Sequence, residues 1–152
     1  MIISILSLVI SVISFIISTV LGIYKICDAK KTNKAKMETE YFDSLYKDYL
    51  LNKLPKARAK MLIGQDYKLI GSQELTQLLN SMRQDSLYFM YADSKFYNDL
   101  KTKLQSLEDY IVNHEDQKLI AEEQTEFFNN IQRQIMGIYD LMLKKHNGKK
   151  SR

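Results

Sequence analysis

From Ile2 to Ile23 the chain carries no charged side chain, and this run of 22 residues, IISILSLVISVISFIISTVLGI, restricts what the rest can be. At about 1.5 Å per residue a helix of that length reaches roughly 33 Å, enough to cross a hydrocarbon layer of about 30 Å. A core helix of a globular protein seldom runs so far uncharged, because one of its faces meets water. A cleaved secretory signal fits less well. Its n-region should be positive, yet Met1-Ile2-Ile3 offers only the α-amino group. Its apolar stretch should be shorter and end in a small-x-small site, whereas this one ends in Gly22-Ile23-Tyr24-Lys25. Cys27, preceded by Tyr24-Lys25-Ile26, is not a lipoprotein acylation site. The expectation is a single transmembrane helix over 1–24, with Tyr24 and Lys25 as an aromatic and cationic anchor at the interface.

Orientation follows from the flank. Lys25, Lys30, Lys31, Lys34 and Lys36 stand against the single Asp28. The positive-inside rule therefore places the N-terminus outside and the C-terminus in the cytosol, with the cell (inner) membrane as location. Residues 25–36 read as a basic juxtamembrane helix. Its five lysines suit contact with anionic lipid, at about 1 kcal/mol each.

Within the span, Ser4, Ser7, Ser11, Ser14 and Ser18 recur at spacings of 3, 4, 3 and 4, and Gly22 extends the series. That is an a/d pattern, so these small residues share one stripe. Small side chains let a second helix approach, and hydroxyls bond across the contact. Three readings fit: serines bonding back to their own helix, a self-association seam giving a dimer or higher oligomer, or several copies around a serine-lined lumen.

The remainder is long enough for one small domain. Pro55 is the only proline and there are five glycines, which favours long helices over a turn-rich β fold. Hydrophobic periodicity predicts a small antiparallel helical bundle over 37–146. Phe42, Leu45 and Tyr49 make a stripe on a helix continuing through 28–53. Pro55 opens a helix over 56–63. Gly64 to Gly71 is a break in which Tyr67, Leu69 and Ile70 cover the core. Ser72 caps a helix lined by Leu75, Leu78, Leu79 and Met82. Asp93 or Ser94 caps the next, lined by Phe96, Leu100, Leu104, Leu107 and Ile111. The last helix, about 117–145, carries Phe128, Ile131, Ile135, Ile138 and Met142, as the bundle's backbone or a coiled-coil seam. Gly148 is its stop signal, and 147–152 is a basic C-terminal tail. The fold class is all-α: one membrane helix followed by a small cytosolic bundle.

Charge is segmented. Residues 37–143 hold 12 Lys/Arg against 17 Asp/Glu, so the basic balance belongs to the two ends. A nucleic-acid binder should show a basic face on the folded body, so no nucleic-acid partner is expected. Chemistry is scarce. His114 and His146 have no second histidine or cysteine at ligand spacing, and none of the glycines makes a phosphate-cradling loop. Glu108-Asp109 and Glu122-Glu123 are helix neighbours that do not face each other. No enzyme activity, metal or cofactor is expected. Tyr88, Tyr91 and Tyr97, in an aromatic cluster, are candidates for a partner surface. The expected function is a membrane-anchored, self-associating scaffold presenting its bundle to a cytosolic protein. The alternative is an oligomeric pore-forming effector, of toxin or defence type, gated by the bundle.

Overall fold

The computed structural model describes residues 2–150, with side chains described over 11–148. The chain divides between Glu40 and Tyr41 into two units. The fold is all-α apart from two strands of two residues each.

The first unit is helical. It lies within α1 (Ile2–Ser44), which contains one glycine and no proline to interrupt its ladder. Hydroxyls of Thr19 and Thr39 donate back to the carbonyls of Phe15 and Ala35, 2.8 Å each. Over residues 12–23 its apolar side chains are exposed. Phe15 is 72% exposed, and Val12, Ile16, Val20 and Ile23 are all above half. This helix is long and apolar enough to cross a membrane.

The second unit packs its helices around one core. The end of α1 leads into a π-helical segment (Leu45–Lys53), then α2 (Leu54–Ala59), β1 (Leu62–Ile63), β2 (Leu69–Ile70), α3 (Ser72–Asp85), α4 (Tyr88–Ala92), α5 (Ser94–Glu115) and α6 (Ala121–Lys150). Contacts along the elements give their directions. Tyr49 meets Asp85 and Lys60 meets Glu74, so the π segment and α2 run antiparallel to α3. Tyr110 stacks on Phe127 while Lys145 reaches Asp93, so α5 and α6 are antiparallel too. Phe42, Leu45, Leu50 and Leu54 from one side meet Leu75, Leu79, Leu100, Leu104, Leu107, Ile131 and Ile138, all at most 2% exposed.

Proline explains the π segment. In an α-helix the Pro55 ring would collide with the carbonyl four residues back, and it has no N–H to donate. The preceding turns widen instead: Leu54 N–H donates to Tyr49 O, five residues back. Pro55 cannot make the next such bond, to Leu50 O, and Leu50 is fully buried. The hydroxyl of Tyr139 donates to that carbonyl from α6. Tyr139→Phe should therefore leave a buried acceptor unpaired and cost about 1–3 kcal/mol in denaturant unfolding. Adding Pro55→Ala, which restores an N–H, should recover part of the loss; strictly additive losses would contradict the pairing.

Several sequence expectations need correction. The helix expected over 56–63 ends at Ala59, because the chain turns into a hairpin pairing Leu62 with Ile70 and Ile63 with Leu69. Of Tyr67, Leu69 and Ile70, Leu69 is the one that covers the core, beside the partly buried Ile63; Tyr67 and Ile70 are about half exposed. Ser72 does not cap α3. Gly71, at φ +74, occupies that position, while Ser72 is buried and its hydroxyl donates to Glu115 Oε1 at 2.7 Å. Asp93 does cap α5, accepting from Phe96 N–H at 3.1 Å. On α6 the buried stripe starts at Phe127, not Phe128. Phe128 and Ile135 are half-buried at the edge of the core, Phe128 beneath Arg58. Gly148 stops nothing: α6 runs through it to Lys150, so the tail expected over 147–152 is helical as far as it is described. Residues 151–152 lie outside the described residues.

Candidate functional site

Three surfaces carry the expected site residues. On the first unit, Ser11, Ser14 and Ser18 are exposed along α1, and a Cβ added at Gly22 would meet nothing within 4 Å. The stripe is thus open to a second helix over these positions. The side chains of Ser4 and Ser7 lie outside the described residues. Lys25, Lys30, Lys31, Lys34 and Lys36 are all exposed. At about 100° per residue they are spread round the helix as a collar rather than along one face. The Cys27 thiol is exposed beside them.

The tyrosines separate. Tyr97 is 7% exposed, in the core at the start of α5, so it presents no surface; that assignment is corrected. Tyr88 is half-buried, stacked flat on Tyr41 with centroids 4.4 Å apart, and this pair walls a cleft of about 450 Å³ with Gln84 and Asp85. Tyr91 is 86% exposed. Sequence reasoning missed Leu87, one turn before Tyr91 at the start of α4, and the adjacent Met90, both also exposed. The signal was available as an apolar triple at spacing 3 and 4, opposite the buried Phe89.

Further concavities lie along α6. One, of about 440 Å³ against α5, is lined by the polar side chains of Thr102, Gln105, Asp109 and Gln134 together with Tyr110. Gln134 Nε2 donates to Asn130 at 3.0 Å, while its Oε1 is buried with no partner among the described residues. Another, of about 350 Å³, lies between α2 and α6. It is mostly apolar and holds Leu54, Pro55, Ile135, Met136 and Tyr139, with Arg58 at one end. Neither groove was expected from the sequence.

The shifted groups serve packing. The Tyr49 hydroxyl donates to the Asp85 carboxylate, and burial with that acid pushes its pKa up to about 12. Burial also raises Tyr110 and Tyr139 and lowers Arg58. Each of these groups keeps its ordinary protonation state at neutral pH. Asp93 accepts Lys145 Nζ at 2.5 Å beside the Phe89 and Phe96 rings, so this lysine of the basic C-terminal run ties α6 to the α4–α5 junction. His114 lies in the last turn of α5; its Nδ1 lies 2.7 Å from Tyr110 O and its ring packs beside the stacked Tyr110 and Phe127 rings, touching both. His146 stacks on Phe42 and Tyr46. Among the described residues no three His, Cys, Asp or Glu side chains gather as a metal site.

Comparison with protein-family models, with curated proteins and with solved structures finds no match to this chain.

Proposed function

We propose that this chain is a membrane-anchored, self-associating interaction protein without enzymatic activity. Residues 1–24 span the bilayer, the lysine collar over 25–36 lies at the cytosolic face against anionic lipid, and the second unit is a cytosolic bundle presented to a protein partner. One observation carries the reading: the apolar side chains of α1 over residues 12–23 are all about half exposed or more. An exposed apolar surface of that length calls for lipid or another apolar helix. The stripe of Ser11, Ser14 and Ser18, with Gly22, gives the helix one face suited to its own copy and leaves the others to lipid. Oligomers around a lumen would be a larger assembly of the same seam.

The seam is tested by disulfide crosslinking in native membranes, in a Cys27→Ser background. Ser14→Cys should be trapped as dimers several times faster than Ile16→Cys, which lies on the opposite face of the helix. Equal rates at the two positions would remove the seam. Ladders of five or more from Ser14→Cys would replace the dimer with a ring.

A further inference from the structure

We propose that the groove between the π segment with α2 and α6 docks an acidic amphipathic helix of a partner protein. This deepens the interaction-protein reading and rests on it. Two contacts set the walls antiparallel: the Tyr139 hydroxyl meets Leu50 O, and the Arg58 guanidinium lies 4.4 Å from the Phe128 ring centre. Between them lies the cavity of about 350 Å³ floored by Leu54, Ile135 and Tyr139, with Met136 56% exposed at its rim. Phe128 to Tyr139 spans about 16 Å of helix, or three turns, the length over which a short amphipathic helix lays its anchors.

Charge selects the occupant. Residues 37–143 are acidic in balance, yet the wall of this groove built by the π segment and α2 is basic. Residues 45–60 carry Lys47, Lys53, Lys56, Arg58 and Lys60 against Asp48, while the α6 wall presents the uncharged Gln132, Ile135, Met136 and Tyr139. Lys47, Lys60 and Lys145 are engaged with Asp43, Glu74 and Asp93. Lys53, Lys56 and Arg58 have no carboxylate within 4 Å among the described residues. Arg58 is partly desolvated against Phe128, and burial lowers its pKa with nothing opposing. Such a guanidinium gains a two-pronged, charge-assisted bond when an Asp or Glu arrives. A bilayer surface is flat and does not enter a slot between two helices. In a second copy the apolar faces of α3, α5 and α6 are already in its own core, and the exposed apolar face at α4 is only five residues long and bears no acid.

The test places a photoreactive benzoylphenylalanine at Met136, and separately at Gln132, in the full chain in its own cells. Mass spectrometry should place the adducts in one segment of a different protein, amphipathic and bearing Asp or Glu within a turn of the crosslinked residue. Arg58→Glu should lower the yield by about tenfold or more, and changing the partner's acid to lysine should restore it. Lys56→Glu, at an exposed position, should weaken capture without touching the Phe128 contact. Adducts on lipid, on a second copy of this chain or on a non-acidic segment would overturn the proposal. So would an absence of adducts, or yields indifferent to both charge reversals. Adducts from a probe at Tyr91 with none in the groove would leave the interaction-protein reading standing and remove this one. Loss of the chain from membranes would remove the anchored reading whatever the groove captures.

Discussion

Arginine at both Ile13 and Ile16 should transfer the chain from the membrane fraction to the soluble one. Both positions are exposed on α1, near the middle of the apolar run, and both face away from the serine stripe. The change therefore acts on insertion and leaves the seam alone. An arginine at the centre of a membrane helix costs about 2.5–3.5 kcal/mol on insertion scales, so the pair removes roughly 5–7 kcal/mol from the partition. At about 1.4 kcal/mol per factor of ten, an anchor that holds nearly every copy becomes one that holds few. Fractionation with immunodetection measures it. Ser14→Leu is the control, because it makes the run more apolar and should keep the chain in the pellet. If the double arginine variant pellets like the parent, these residues are not in lipid.

Gly71→Ala should produce the largest loss of stability in the second unit. Gly71 adopts φ +74, which a residue with a Cβ rarely takes, and the added atom would sit 2.2 Å from the carbonyl oxygen of Lys60. The close atom is backbone, so it cannot swing aside. Relief requires shifting the end of α2 against the start of α3, whose Ser72 is fixed to Glu115 on α5. We expect a loss on the order of 4 kcal/mol, combining strain at the positive φ with the displaced packing. For a unit of this size that lowers the melting temperature by roughly 15 °C. Gly148→Ala, where a Cβ meets nothing within 4 Å, should be neutral or slightly stabilising. Comparable melting curves for Gly71→Ala and the parent would show that the turn has room the geometry denies.

The parts legible in the sequence are those set by period and charge. The α5 stripe of Phe96, Leu100, Leu104, Leu107 and Ile111 is buried as its spacing requires, and Asp93 caps that helix because its carboxylate reaches the Phe96 amide. The apolar character of α1 is written in its side chains. What was not legible depends on contacts distant in sequence. Pro55 signalled a helix start, but that the preceding nine residues would widen depended on Tyr139 arriving, 89 positions from Leu50, to bond the released carbonyl. Phe127 and Phe128 are adjacent and equally apolar; the phase of α6 is decided by Tyr110 and His114, which take Phe127, and by Arg58, which takes Phe128. Gly148 looked like a stop, yet α6 carries through it to Lys150.

The candidate surfaces follow the same division. The serine stripe and the lysine collar are linear features, readable by spacing alone, and the described serines and lysines lie exposed on α1. The tyrosine cluster was only partly readable. Tyr88, Tyr91 and Tyr97 look alike in one dimension, but α4 is five residues long and ends at Asp93, which resets the phase. Tyr97 then turns into the core while Tyr91 turns out. The basic groove needed two separate segments to meet, and neither segment alone is unusual.

Trypsin treatment of the reconstituted full chain, in vesicles with the collar outward, tests the central claim most directly. After digestion and a carbonate wash, the account predicts that one lipid-retained peptide remains, beginning at the N-terminus and ending between Lys25 and Lys36. Recovery of no retained peptide, with all fragments in the wash, would contradict it.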